Sequence, residues 1–306
     1  MTPDSPELAA GSTGSSVQFA AGGEIEIAYE TFGSRDDPML VLIAGVSSQL
    51  LGWDVDFCRE LAGHGFRVVR FDNRDVGLST HLHEAGVPDL TPLLRGEPIA
   101  EAPYLLADMA QDVVDLLDVL GVERAHIVGL SMGGMIAQEV AAHHPDRTLS
   151  LTSIMSTSSP AIGAPTPEAA AALLAPPATT EEEACASALA GARVYGSPGY
   201  PLDEARLLAA TAAAFRRARD PGGVARQFAA IQASGDRTER LRGIVAPTLV
   251  LHGDADPLVQ LPGGQATATA IPGARLITFP GIGHDLPRPL WSRIIDEIAA
   301  HAAAAS

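Results

Sequence analysis

The sequence contains no lysine. All 20 of its basic residues are arginine, which excludes Schiff-base lysine chemistry, the phosphate-gripping lysine of a P-loop and serine–lysine nucleophile pairs. Positive charge is scarce as well: 20 basic residues stand against 37 acidic ones, a net charge of −17. A surface for nucleic acid or an anionic membrane needs a basic footprint, so neither partner is expected. Cysteine is nearly absent. Cys58 and Cys185 lie far apart, in no CxxC or metal-like spacing, and read as structural thiols of a reducing compartment. No apolar run approaches the ~18 residues of a membrane helix, and the first residues form neither the basic nor the apolar part of a signal peptide. The expectation is a cytoplasmic protein that needs no metal or cofactor.

What is present is enough for a large core: 306 residues, 46% of them hydrophobic. At ~150 residues per domain, that length allows two domains or one α/β domain with an insertion. Residues 1–16 are rich in Pro, Ser, Gly and Thr without periodicity and are expected to be disordered. Strands are predicted at Ile25–Phe32, Met39–Ala44, Phe66–Phe71, His126–Gly129, Leu149–Met155, Thr248–His252 and Arg275–Phe279. Continuous apolar runs such as Met39–Ala44 suit strands buried on both faces. Helices are predicted near Asp108–Leu120, with Asp108 and Gln111 as a capping box and Gly121 just past the end, over Ser131–His144, and from Pro287 to Ala304. Alternating strands and helices predict a mostly parallel sheet covered on both faces. Residues 158–237 interrupt the alternation with Ala-rich helical sequence. They are read as a helical cap set between two parts of an α/β core, residues 17–157 and 238–306.

The chemistry concentrates in three places. Gly129-Leu-Ser131-Met-Gly133 joins a strand directly to a helix. Glycines on both sides let the chain turn sharply, holding Ser131 in a strained conformation at a helix N-terminus that favours developing negative charge. A serine hydroxyl needs an imidazole to take its proton. His284, in Gly281-Ile-Gly283-His284, follows a strand and so belongs at the same sheet edge. The imidazole in turn needs an orienting carboxylate. Asp256 is preferred over Asp254 because it lies further beyond its strand, leaving Asp254 to brace the turn. The order Ser, Asp, His distinguishes this arrangement from the chymotrypsin and subtilisin types. Backbone N–H groups of Met132 and Val46 are the expected oxyanion hole, each worth ~3 kcal/mol.

With these motifs the chain resembles the α/β-hydrolase superfamily from about residue 17 onward. The Gly-Leu-Ser131-Met-Gly-Gly elbow, the His252-Gly-Asp-Ala-Asp256-Pro turn, the Gly-Ile-Gly-His284 loop and the stretch Asp72–Ser79 carry the resemblance. Gly52-Trp53 and Asp72-Asn-Arg-Asp-Val-Gly-Leu-Ser-Thr80 resemble bacterial esterases of the aclacinomycin methylesterase type. The family's triad maps onto Ser131, Asp256 and His284. Where the family often has His-Gly after the early strand, this chain has Ala44-Gly45.

Other residues read as structural. Arg74 is expected to form a buried ion network with Asp72 and Asp75. The pairs His81/His83 and His143/His144 lack a third ligand at metal spacing. His252 is expected beneath the acid loop, and Met135 in the core. Met132 is a candidate for substrate contact. Trp53 is assigned to substrate binding at the entrance, with a core position equally open. The resulting reading is a serine esterase acting on a small to medium, largely apolar carboxylic ester, a small-molecule partner held in a roomy apolar pocket. Perhydrolysis or C–C bond hydrolysis on the same residues, and a non-catalytic ligand-binding homologue, are the alternatives.

Overall fold

The computed structural model describes residues 16–305 except Gly96, Pro98 and Ala100. The expected disordered segment, apart from Ser16, lies outside the described residues. The chain opens with a hairpin, β1 (Gln18–Gly22) and β2 (Ile25–Phe32), joined by the two-residue turn Gly23-Glu24, with Gly23 at φ +65°. That positive φ is open to glycine at no steric cost and matches the twist of the paired strands. Next come β3 (Met39–Ile43), α1 (Val55–Gly63), β4 (Arg67–Phe71), α2 (Thr91–Leu94) and α3 (Leu106–Val119). They are followed by β5 (Ala125–Leu130), α4 (Met132–His143) and β6 (Thr148–Ile154).

Five helices then separate β6 from β7 (Thr248–Gly253): α5 (Pro167–Leu173), α6 (Glu181–Tyr195), α7 (Glu204–Arg217), α8 (Pro221–Ala233) and α9 (Thr238–Leu241). The chain closes with α10 (Leu261–Ala270), β8 (Arg275–Phe279) and α11 (Trp291–Ala303).

The eight strands form one sheet in the order β1-β2-β4-β3-β5-β6-β7-β8. β1 and β2 pair antiparallel, as do β2 and β4, and every later pairing is parallel. Alternation along β3 sends Met39, Val41 and Ile43 into one apolar cluster and Leu40, Leu42 and Ala44 into the other. The first cluster is completed by α3 and α4, the second by α1 and α11. Each of the larger of these side chains, Met39 to Ile43, contributes about 1.5–3 kcal/mol by leaving water.

Local signals explain the helix ends. α3 stops in a Schellman motif: Gly121 sits at φ +68°, its N–H reaches Asp118 O, and Val122 N–H reaches Leu117 O. Its start differs from expectation by one turn. Asp108 accepts from the Leu105 amide at 2.7 Å, so it is the third helical residue rather than the cap, and Gln111 instead bonds Asp115. β1 has no counterpart among the sequence expectations, because QFAAG is short, mostly exposed and lacks apolar alternation.

Candidate active site

β3 is flanked by β4 on one side and β5 on the other. The connections leaving β3 and β5 therefore diverge, opening a crevice at the carboxyl ends of these strands, where parallel sheets carry their sites. The loops after β3, β5, β7 and β8 all end at this edge.

Ser131 stands between β5 and α4 with φ 57° and ψ −121°, a left-handed conformation that costs about 1–3 kcal/mol outside glycine. Its amide is held by Ile154 O at 2.8 Å. The glycines around it are steric requirements: a Cβ on Gly129 would meet Gly133 O at 2.0 Å, and one on Gly133 would meet Ile43 O at 2.1 Å.

His284 Nε2 lies 2.9 Å from Ser131 Oγ, and His284 Nδ1 lies 2.7 Å from Asp256 Oδ2. The carboxylate only accepts, so Nδ1 carries the proton and Nε2 is free to accept from the serine hydroxyl. The other Asp256 oxygen is fixed by the amides of Leu258 and Val259 at 2.8 and 2.9 Å. Beneath this loop His252, fully buried, bonds Val259 O at 2.8 Å. Burial pushes its pKa down, so it stays neutral and does not draw the charge of Asp256 from His284. Asp254 accepts from the Gly281 amide at 2.7 Å, bracing the histidine loop from the side.

The loop after β3 passes directly against the serine: a Cβ on Gly45 would stand 3.9 Å from Ser131 Oγ. Among the described residues, neither the Val46 nor the Met132 amide has a hydrogen-bond partner. Ser47, at φ 63°, gives its amide to Gln227 Oε1 of α8 at 2.9 Å. The Met132 side chain is fully buried in the core, so only its backbone remains for the site. Trp53 occupies the core position open to it: 2% exposed, packed on Phe57, which in turn meets Trp291 edge-on. Cys58 is buried alongside, its thiol pushed up to about 12 by desolvation, as an inert structural thiol should be.

The segment between β6 and β7 also reaches the histidine. Tyr195 O, at the end of α6, accepts from His284 N–H at 2.6 Å. Ser197 Oγ accepts from Gly283 N–H at 3.0 Å and donates to Asp285, whose carboxyl is raised by burial. Sequence reasoning missed this grip, since nothing near Ser197 signals a partner 86 residues away.

Two expectations are corrected. Arg74 does not pair with its neighbouring aspartates; it forms a bidentate pair with Asp112 of α3 at 2.7 Å. Asp72 and Asp75 reach instead to Arg217 and Arg226, on α7 and α8. And His81 and His83 do have a third ligand-type neighbour, Asp220, brought in by the fold from 137 residues beyond His83.

A cavity of about 760 Å³ runs between the loop after β4 and these helices, lined by Val76, Leu90, Leu174, Val224 and Phe228. Its wall reaches Ser47 and Gln49, on the loop that carries Val46, and stops short of Ser131 and His284. Among the described residues, no helix is long and apolar enough to cross a membrane.

Comparison with known proteins places the chain. Residues 38–287 match the family model of the alpha/beta hydrolase fold. Rhodomycin D methylesterase DauP of Streptomyces sp. (strain C5) is 29% identical over 92% of this chain and 97% of its own length. The bifunctional esterase/perhydrolase DCH of Acinetobacter calcoaceticus is 26% identical over 86% of this chain and 91% of its own. Among solved structures, the enol-lactonase from Burkholderia xenovorans LB400 superposes with a TM-score of 0.73 at 26% identity, covering 94% of this chain and all of that one. The protein belongs to the alpha/beta hydrolase fold family.

Proposed function

We propose that this protein is a serine hydrolase of carboxylic esters, with Ser131 as nucleophile, His284 as general base and acid, and Asp256 as the orienting carboxylate. The continuous hydrogen-bond chain from Ser131 Oγ through His284 to Asp256 carries this reading. Ser131 Oγ attacks the carbonyl carbon while His284 Nε2 takes its proton. The carbonyl oxygen, now negative, accepts from the unpartnered amides of Val46 and Met132. His284 returns the proton to the departing alcohol, and water, deprotonated by the same imidazole, releases the acid from Ser131. The chemistry needs only side chains and backbone amides of this chain.

The helical segment 158–237 acts in this reading as a cap. It lines the cavity through Leu174, Val224 and Phe228 and steadies the histidine loop through Tyr195 and Ser197. A volume of about 760 Å³ beside the loop that carries Val46 suits a drug-sized, largely apolar ligand. The whole-length similarity to rhodomycin D methylesterases supports a methyl ester as substrate. Similarity to the esterase/perhydrolase supports a second reaction, in which hydrogen peroxide replaces water at the acyl-enzyme and releases a peracid.

Hydrolysis of p-nitrophenyl esters of increasing acyl length, wild type beside Ser131→Ala, tests the proposal. Turnover that disappears in the variant is expected, and assays with hydrogen peroxide then rank the two acceptors. Turnover retained by Ser131→Ala overturns the assignment. Absence of both turnover and fluorophosphonate labelling of Ser131 in the wild type identifies a ligand-binding homologue instead.

A further inference from the structure

Away from the proposed nucleophile, two histidines and an aspartate meet where the loop after β4 touches the start of α8. His81 Nδ1 is 2.9 Å from Asp220 Oδ2, and His83 Nδ1 is 3.5 Å from the same oxygen. The two imidazole rings have centroids 5.4 Å and planes 11° apart, and all three ligand-type atoms lie within 4.8 Å of one another. Around a tetrahedral ion with bonds of about 2.0–2.1 Å, ligand atoms stand roughly 3.3 Å apart. The distances of 2.9 and 3.5 Å bracket that edge.

The outer contact of His81 orients the ring. His81 Nε2 lies 3.0 Å from Gly77 O, a carbonyl that only accepts, so Nε2 carries a proton. That contact turns Nδ1 toward the Asp220 carboxylate, 2.9 Å away. An imidazole that donates its far N–H to a backbone carbonyl is also the usual outer-shell arrangement of a metal-bound histidine.

Local charge agrees. Arg226 Nη2 approaches Asp220 Oδ2 at 2.9 Å, but the same guanidinium is committed to Asp75 by bonds of 2.9 and 2.7 Å. Two carboxylates thus share one arginine, leaving negative charge on Asp220. Arg226 serves as the outer-shell donor that orients the carboxylate.

We propose that His81, His83 and Asp220 bind a divalent transition-metal ion of the zinc class, with water as the fourth ligand on the side where the His83 side chain is 70% exposed. The ion ties the loop after β4 to the first turn of α8. It thereby fixes one wall of the cavity, which Gly77 and Asp220 both line. The site is structural and independent of the ester chemistry proposed for Ser131.

Calorimetric titration of the chelator-treated full-length protein with zinc chloride alone, at neutral pH, tests this. One equivalent per chain is expected, with Tm rising by roughly 5 °C once free zinc exceeds Kd about a hundredfold. His83→Ala removes an exposed side chain, so the fold survives. Its affinity falls by more than the roughly 10–100-fold that loss of an outer-shell partner alone costs. His143→Ala, at the other histidine pair, leaves the isotherm unchanged. Cobalt in place of zinc shows the visible absorption of a tetrahedral site in the wild type and not in His83→Ala. Absence of saturable zinc binding by the wild type overturns the site and leaves His81 and Asp220 as a plain hydrogen-bonded pair. Binding that persists undiminished in His83→Ala overturns it equally.

Discussion

In the sheet, every residue of β3 and β7 is buried. Across the segment between β6 and β7, α7 has no buried residue and α6 only Gly191. α8 adds apolar contact through Phe228, Ala230 and Ile231, and the segment is otherwise held at polar points: Arg217 to Asp72, Arg226 to Asp75, Gln227 to Ser47 N–H, Ser197 to Gly283 N–H. Apolar burial is non-directional and close-packed, and leaves no room between layers. Buried ion pairs hold at points, so helices can stand off the sheet edge and leave a cavity beneath them. The price is fragility, because removing one partner strands a charge away from water.

Four tests break or sharpen this contrast. Ser131→Ala alters only the sheet edge: kcat on an activated ester falls by ~10⁴-fold or more, while thermal unfolding stays that of wild type. Arg226→Met attacks the polar fastening by leaving Asp75 buried and unpaired, and costs about 3–5 kcal/mol in urea unfolding. The double variant Asp75→Leu/Arg226→Met recovers most of that loss, since the stranded charge is gone.

The third tests the apolar layer through pH. His126 on β5 is fully buried, and desolvation pushes its pKa from 6.5 down to about 4. Below pH 6.5 the unfolded chain takes up a proton that the folded one refuses, so stability present above pH 6.5 is lost as pH falls through about 4. The loss from this residue is about 3 kcal/mol, and His126→Leu flattens the pH dependence of unfolding by that amount. The smallest effect is expected at Ser197→Ala, which removes one fastening from the histidine loop. About 1 kcal/mol of positioning, or roughly fivefold in kcat, is lost with KM nearly unchanged. Ser197→Thr, which keeps the hydroxyl, restores it.

Much of the fold was legible because its signals are local. Met39–Ile43 reads as a doubly buried strand from five consecutive apolar residues, and Gly121 ends α3 where its positive φ permits. The approach of Ser131, His284 and Asp256 was legible for a related reason. Each follows a strand, and parallel strands put all such positions at one edge. β1 went unread because an exposed edge strand carries no apolar pattern, and the helix start at Leu105 because a leucine cap has no chemical signature.

The sequence by itself determined the elbow, the strand-end positions of the candidate residues and the exclusion of lysine chemistry, since each depends on neighbours a few residues apart or on composition alone. The tertiary structure alone decided that Trp53 is core, that Arg74 pairs with Asp112, that Ser197 grips the histidine loop and that Asp220 joins His81 and His83. Those outcomes depend on which side chains meet once distant parts of the chain are packed together. That is set by the packing of layers and the matching of buried charges, which no local pattern encodes.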